Sequence, residues 1–439
     1  MLTIEEKTKQ TPVKGEFDVI VAGGGPAGVC AGVAAARCGA RVLLLEAAGC
    51  LGGAWTNSMV SLIIDDKNKP NTLLLREIIQ GIRHFSLASK DGSNAFDIEA
   101  TKFFLENWCG RENIVIRYFS NVCAAMLDDE GSISHIFTES KSGREAWMGK
   151  VFIDCTGDGD LGAIAGNPFE IGHPEHGKMQ PMSLISLITG IKLKDVLPYT
   201  TDGGSWGDVA KRFSELLVAD DYKPSYCGLA LFHIGGDLFF LMANHQYNYS
   251  GIDADAKTQA TIAARNEIHK QIQLLRSRCG IWSNIQLAAT ANHIGVREAR
   301  RLIGQYKVTA EDIINCSKPD DGICKVSFCV DIHALDSSSH CIIEKTDLVV
   351  KSYNIPLRAL ISVNIPNLLF AGRCISGDFF AHASYRVTGN AAVLGQAAGT
   401  LAGIAASKNC HPDNVQYSEV QAKMFSKNMF EQSLNSQGN

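Results

Sequence analysis

The strongest structural signal in the sequence is residues 21–47, which read VAGGGPAGVCAGVAAARCGARVLLLEA. Gly23, Gly25 and Gly28 form a G-x-G-x-x-G pattern directly after one apolar run, and Glu46 closes the next. Short apolar runs without alternation indicate strands buried on both faces of a parallel sheet. The Ala-rich piece between them is helical in character, which gives a βαβ unit of about thirty residues. The sequence therefore predicts an α/β protein.

This glycine pattern predicts a dinucleotide site. Glycine permits the tight turn, the close approach of the backbone to a pyrophosphate and the close packing of the helix on the strand. The start of the helix offers N–H groups and a positive dipole end to phosphates. A carboxylate at Glu46 accepts hydrogen bonds from ribose hydroxyls and disfavours a 2′-phosphate. The motif leaves open whether the nucleotide is NAD or the ADP half of FAD.

Length and charge narrow the architecture and the class of ligand. At 439 residues the chain is long for one core, so we expect two domains, one of them built from separated pieces of sequence. Subtracting 46 acidic residues from 41 basic residues gives a net charge of −5, without a basic block. That balance favours neither nucleic acid nor an anionic membrane as a partner. A small molecule is the expected ligand.

The cysteines and apolar runs predict a cytoplasmic protein. The 14 cysteines are scattered singly and form no C-x-x-C pair, so we expect reduced thiols and no metal site. The charged first residues lack the apolar core of a signal peptide. Residues 391–406 form the longest weakly polar run, which is too short to span a bilayer and is interpreted as a buried helix.

The pattern changes after Asn167 to alternating runs and one long helix. Residues 228–244 predict a hairpin that turns at 235–237. Ile268, Ile272 and Leu275 share one face of the long helix, and TAED at 309–312 is a capping-box signal. Strand character returns at 365–370, and the residues after Cys410 are interpreted as a partly mobile polar tail.

Three further motifs identify a resemblance. They are GCLGGAWT at 49–56, FIDCTGDGDLGAIAG at 152–166 and LLFAGRCIS at 368–376. Together they resemble the FAD-dependent oxidoreductase family with the glutathione-reductase-type FAD fold, in the branch bearing L-G-G-x-x-T, T-G-D-G-D-L and A-G-R-C-I-S. The resemblance runs from about Phe17 to Ala406 and includes MQPMSL, GVREARRLIGQYKVT, DIH and YNIPLRALI.

The resemblance implies FAD as cofactor and a division of the chain. A Rossmann-like FAD-binding domain would consist of residues 1–166 and 347–410, with an inserted α+β substrate domain at 167–346 and a tail at 411–439. The helix that begins near Thr388 would aim its N-terminus at the flavin. The implied FAD-binding residues are Gly23, Gly25, Pro26, Ala27, Gly28, Glu46, Ala47, Gly52, Gly53, Thr56, Gly157, Asp158, Gly372, Arg373, Gly389 and Asn390.

The expected reaction is the oxidation of a small polar metabolite by hydride transfer to flavin N5. His382 is the predicted proton acceptor, and Arg386 or Arg297 is expected to orient the substrate. Two alternatives stay open: a reductase of an activated C=C bond, and a non-catalytic flavin electron-transfer subunit. DIHALD at 331–336 departs from the family pattern, which leaves the substrate undefined.

The sequence leaves the electron acceptor unknown. It holds one dinucleotide fingerprint and no C-x-x-x-x-C pair beside the first helix, unlike pyridine-nucleotide disulfide reductases. The mode of flavin attachment also stays open, and so does the oligomeric state, a homo-oligomer included.

Overall fold

The computed structural model describes residues 3–4, 10–65, 73–85, 95–218, 222–337, 343–344 and 346–426. Its strands are β1 (Val13–Ala22), β2 (Val42–Leu45), β3 (Val115–Arg117), β4 (Asn121–Leu127), β5 (Ile133–Ser140), β6 (Gly143–Asp154), β7 (Phe169–Glu170), β8 (Ser186–Thr189), β9 (Ala230–Gly235), β10 (Leu238–Met242), β11 (Gln286–Thr290), β12 (Arg301–Leu302), β13 (Gly322–Val326), β14 (Tyr353–Pro356) and β15 (Leu368–Phe370). Its α-helices are α1 (Pro26–Arg37), α2 (Leu73–Phe85), α3 (Ile98–Arg111), α4 (Asp160–Ile164), α5 (Leu193–Val196), α6 (Trp206–Leu217), α7 (Ala254–Ser277), α8 (Ala310–Ile314), α9 (Phe379–Tyr385), α10 (Thr388–Lys408) and α11 (Tyr417–Met424).

The main sheet has seven strands, and five of them are parallel. β3, β2, β1 and β6 lie side by side in that order, and β15 pairs in parallel with the end of β6. The first half of β6 pairs antiparallel with β5, which in turn pairs with β4. Ala22 and Phe370 both lie opposite Asp154, so the carboxyl ends of three parallel strands meet at one edge. The predicted α/β fold with a parallel sheet is confirmed.

Helices α1 and α10 pack with their backbones in contact. Gly395, Gly399 and Gly403 recur every four residues along α10 and face α1. A Cβ atom on Gly399 would lie 2.1 Å from the carbonyl oxygen of Ala31, and one on Gly395 would lie 2.1 Å from that of Ala27. Any side chain at these positions would push the helices apart. We call this contact the α1–α10 seam.

A second, antiparallel sheet follows in the chain and has the order β11-β8-β10-β9. Its strands β9 and β10 form the predicted hairpin, with the turn after Gly235. Helix α7 buries Ile268, Ile272 and Leu275 as its periodicity predicts. Helix α8 begins with the predicted capping box, in which Thr309 and Asp312 bond each other's backbone N–H.

The packing of the buried residues favours an earlier end for this second unit than residue 346. One hydrophobic cluster runs from Met182 to Ile294, whereas Leu302 packs with the main sheet. Residues of β13 and β14 pack in the same core as α1 and α10. We therefore propose that the inserted unit, residues 182–296, ends before Leu302 and not at residue 346.

Part of the predicted tail is folded. Helix α11 buries Val420 and Met424 in the core that surrounds α10. Residues 427–439, the rest of that tail, lie outside the described residues. No helix in the described ranges is long and apolar enough to cross a membrane.

Candidate functional site

A cavity of about 1060 Å³ lies between the main sheet and the inserted unit. Gly23, Gly25, Pro26 and Ala27 line one end, where β1 passes into α1. Because the carboxyl ends of parallel strands meet at this edge, it is the usual ligand position in an open α/β sheet. The predicted dinucleotide motif therefore opens onto this cavity.

The glycines of the motif have the geometry that a phosphate cradle needs. Gly23 has a φ of +99°, and a Cβ on Gly28 would lie 1.8 Å from the Gly23 carbonyl oxygen. A Cβ on Gly25 would meet nothing closer than the Cα of Gly53, at 3.9 Å. Gly23 and Gly28 thus form the turn and its close packing, while Gly25 leaves its side of the turn open to a ligand.

Glu46 is held by backbone hydrogen bonds at the wall of the cavity. Its Oε2 accepts from the Gly24 N–H at 2.7 Å, and its Oε1 accepts from the Ala48 N–H at 2.8 Å. Ala47 lines the cavity beside it. These bonds fix the carboxylate at the end of β2, where the sequence predicted a ribose contact.

The T-G-D-G-D-L and A-G-R motifs meet across the cavity wall. Arg373 and Asp158 form an ion pair, and both line the cavity together with Gly157 and Gly372. Asp154, which was not among the predicted residues, stabilises the turn of the T-G-D-G-D-L motif. Its carboxylate accepts from the Thr156 and Gly162 N–H groups at 3.0 and 2.8 Å, and burial raises the pKa of Asp154 to about 6.

Several predicted cofactor residues lie behind the cavity wall. Gly28, Gly52, Thr56, Gly389 and Asn390 are not among the lining residues, although Gly53 is. The Gly52 N–H donates to the Gly24 carbonyl at 2.8 Å, and the Thr56 hydroxyl donates to the Leu51 carbonyl at 2.6 Å. Their local bonds shape the wall, and their contacts with a cofactor stay predictions.

The N-terminus of α10 faces the same cavity. Val387, Thr388 and Ala391 line it, and the Thr388 hydroxyl donates to the Leu62 carbonyl at 3.1 Å. The start of a helix carries partial positive charge. Two helix N-termini therefore border the cavity: that of α1, at the glycine motif, and that of α10.

Four titratable residues and Gln180 form what we call the polar end of the cavity: Arg297, Asp331, His333 and Arg386, with Gln180 behind them. Arg386 Nη2 donates to Asp331 Oδ2 at 3.1 Å and to Gln180 Oε1 at 3.2 Å. His333 Nε2 lies 3.1 Å from the same Asp331 oxygen. The four titratable residues line the cavity, so the structure brings both predicted arginines together there.

The polar end fixes the protonation state of its acid and its histidine. Burial opposes the charge of Asp331, but His333, Arg386 and Arg297 hold its pKa well below the usual range. Burial, and then the charge of Arg297, lower the pKa of His333 to about 4. A carboxylate only accepts hydrogen bonds, so His333 carries its proton on Nε2. Its Nδ1 keeps a lone pair and has no partner among the described residues.

Two further residues with aromatic rings, Tyr226 and His245, lie beside His333, and the sequence analysis did not predict either of them. The rings of Tyr226 and His245 are 3.9 Å apart, and those of His245 and His333 are 4.9 Å apart. Burial and Arg297 hold the pKa of His245 well below its usual range. The sequence held one clue to His245: this residue follows shortly after the end of the second hairpin strand, β10.

His382 is not at the cavity, which corrects its predicted role as proton acceptor. It is fully buried on α9 and is absent from the cavity lining. Arg386 follows one helical turn later and reaches Asp331, whereas the His382 ring packs against Tyr385. Because α9 is buried along nearly its whole length, only its end reaches the ligand space.

The buried His382 predicts a pH-dependent stability. Burial, Arg301 and Arg386 hold its pKa well below the usual range, so the native state resists the proton that the unfolded chain accepts below about pH 6.5. Lowering the pH therefore favours unfolding, by up to about 1.4 kcal/mol per pH unit for this residue. We expect His382→Met to remove this contribution, measured by urea denaturation from about pH 7.5 to about pH 5.

The matched control for this measurement is His269→Met on the exposed face of α7. It should leave the difference in unfolding free energy between the two pH values unchanged. An equal pH dependence in the wild type and in His382→Met would contradict a neutral, buried imidazole.

One comparison with known proteins identifies the family of the chain. A family model described as FAD dependent oxidoreductase matches residues 18–424. A search of curated proteins finds no match.

Three solved structures are similar to this chain at low sequence identity. A geranylgeranyl bacteriochlorophyll reductase-like protein from Thermoplasma acidophilum is 13% identical, with 96% of this chain and 87% of that chain covered and a TM-score of 0.47. A p-nitrophenol 4-monooxygenase from Pseudomonas putida DLL-E4 is 9% identical, with 97% and 90% covered and a TM-score of 0.47. A myxobacterial chondrochloren halogenase is 10% identical, with 94% and 78% covered and a TM-score of 0.44.

Proposed function

Because the chain belongs to the FAD-dependent oxidoreductase family, we propose that it oxidises a small polar metabolite at the polar end of the cavity. Its cofactor is FAD, and it is an oxidoreductase. We also assign its FAD domain to the glutathione-reductase type. That assignment is supported by a parallel sheet whose last strand, β15, comes from a distant segment of the chain.

The residues at the cavity fit FAD. The open side of Gly25 and the start of α1 would hold the pyrophosphate, and Glu46 would hold the ribose. The start of α10 offers positive potential for the flavin end. When bound, FAD supplies the hydride acceptor, at flavin N5.

The observation that carries the proposal is the Asp331–His333 pair in the cavity wall. An alcohol that becomes a carbonyl gives up a hydride from carbon and a proton from its hydroxyl. We assign that proton to Nδ1 of His333, which is neutral at pH 7 and aligned by Asp331. Nδ1 is covered by neighbouring atoms, so this proton transfer requires a ring movement that exposes it to the substrate. Arg386 positions Asp331 through their ion pair.

One observation favours the reverse reaction as a second candidate. Tyr226 lines the cavity, and burial raises the pKa of its hydroxyl, which therefore stays protonated. A protonated phenol can donate a proton to a C=C bond that is being reduced. The third alternative, a non-catalytic electron-transfer subunit, has less support, because such a protein has no need of the polar side chains that line the polar end of the cavity.

Anaerobic spectroscopy tests the proposal. We expect the FAD-loaded protein to lose the visible absorbance of oxidised flavin when mixed with the right member of a panel of small hydroxy compounds. Oxidation of the dye-reduced protein by a panel of enoates, without any reduction by hydroxy compounds, would favour the second candidate. A protein that acquires no flavin spectrum after incubation with FAD would overturn both.

A further inference from the structure

Arg297 is a cation without a carboxylate partner. Its Nη1 donates to the Pro181 carbonyl at 2.7 Å and to the Ser183 hydroxyl at 2.9 Å. It forms no ion pair with any residue in the described part of the chain. Both bonds hold one edge of the guanidinium against the inserted unit, while the residue lines the cavity. The side chain is therefore fixed in orientation, and no carboxylate among the described residues forms an ion pair with it.

Arg386 is the opposite case, although it lies at the same end of the cavity. Asp331 pairs with its guanidinium, and Gln180 accepts from the same nitrogen. Two guanidiniums, Arg297 and Arg386, against the single carboxylate of Asp331 leave the polar end with one positive charge. His333 and His245 add none, because burial and Arg297 keep both neutral at pH 7.

The remaining charged groups nearby are paired with one another. Glu298, next to Arg297 in sequence, is buried and forms an ion pair with Arg301. Arg300 pairs with Asp160. The positive charge at the polar end therefore has no compensating carboxylate among the described residues.

The surroundings make this uncompensated charge unfavourable. Burial, and then the charge of Arg386, lower the pKa of Arg297 to about 10, so it is still protonated at pH 7. A desolvated cation gains most from an anion that can reach it. A planar guanidinium with one edge occupied offers two parallel N–H groups to a carboxylate.

We infer that Arg297 binds a carboxylate of the substrate, which makes the substrate a small hydroxy acid. This inference takes the location of the substrate and the oxidation of an alcohol from the proposed function, whereas the carboxylate contact with Arg297 does not depend on the direction of the reaction. It divides the work of the two arginines: Arg297 binds the substrate, and Arg386 positions the Asp331–His333 pair. A single carboxylate would bring the charge of the polar end to zero.

Binding of a carboxylate that cannot be oxidised tests this inference without turnover. The FAD-loaded protein is titrated with propionate, with its neutral analogue propionamide and with inorganic phosphate, and binding is followed by calorimetry and by the flavin difference spectrum. We expect saturable binding of propionate and at least about 10-fold weaker binding of propionamide. We expect Arg297→Gln to weaken propionate binding by about 10- to 100-fold, and Arg297→Lys to weaken it less.

Arg265→Gln is the matched control. Arg265 is a half-buried arginine of α7 that donates to the Thr290 hydroxyl and does not line the cavity. Its replacement should leave propionate affinity unchanged. Unfolding midpoints and FAD content of all variants separate lost binding from lost folding.

Three outcomes would overturn the inference. One is equal affinity for propionate and propionamide. The second is Arg297-dependent binding of phosphate without binding of propionate, which would point to a phosphate ester. The third is weaker FAD binding in Arg297→Gln with unchanged propionate affinity, which would assign Arg297 to the cofactor. Because no step in this test oxidises a ligand, it holds even if the proposed direction of reaction fails.

Discussion

Replacing His333 with Gln is expected to lower kcat/KM by about 100- to 10,000-fold while FAD stays bound. The change removes the imidazole lone pair that we assign to proton transfer, and it leaves the glycine motif unaltered. Rates of flavin reduction measured in the stopped flow would show the loss. Flavin absorbance of the purified variant would show that the cofactor is retained.

The pH profile separates a catalytic His333 from a structural one. A base acts only when neutral, and the pKa of His333 is lowered to about 4, so kcat/KM should hold steady from pH 7 down to about pH 5. His135→Gln, on β5 of the main sheet, is the matched control and should keep full activity. An acid limb near pH 6.5 in the wild type would point to a different, unperturbed histidine.

Replacing Gly399 with Ala is expected to lower the free energy of unfolding by at least about 3 kcal/mol. The new methyl group would lie 2.1 Å from the Ala31 carbonyl oxygen, and neither helix backbone can yield without moving the other. Because α1 begins at the dinucleotide turn, its displacement should also weaken FAD binding. Urea denaturation of the apoprotein and titration with FAD measure the two effects.

The control for this substitution is Gly110→Ala, near the end of α3. A Cβ at Gly110 would have no neighbour within 4 Å, so the better helix propensity of alanine should stabilise the protein by up to about 1 kcal/mol. A similar decrease in the free energy of unfolding in both variants would show that the two helices of the α1–α10 seam can move apart more easily than their geometry indicates.

Local signals predicted the elements, and long-range contacts account for what was missed. The βαβ unit, the hairpin and the capping box each depend on residues within a short window, so sequence pattern reveals them. Tyr226, His245 and His333 come from three separate segments, and no periodicity connects them. The earlier boundary that we propose, in place of residue 346, rests on the pairing of β13 with β14, and strand pairing over such a distance leaves no local mark in the sequence.

The position of His382 on α9 differs from the prediction for another reason. His382 and Arg386 occur in one short motif, and both are plausible ligands by residue type. Whether a helical side chain reaches a cavity depends on where the helix enters the core, which the motif does not encode. The buried length of α9 leaves His382 inside and Arg386 at the ligand space.

The α1–α10 seam fixes the spacing between two helices whose first residues border the cavity. The first residues of α1 border the nucleotide end of the cavity, and the first residues of α10 border its other side. Since backbone touches backbone at Gly395 and Gly399, the lateral spacing between these two helices is set by main-chain radii. Sequence changes in the inserted unit can therefore alter the part of the cavity wall that this unit contributes, while the spacing of the two helices stays constant.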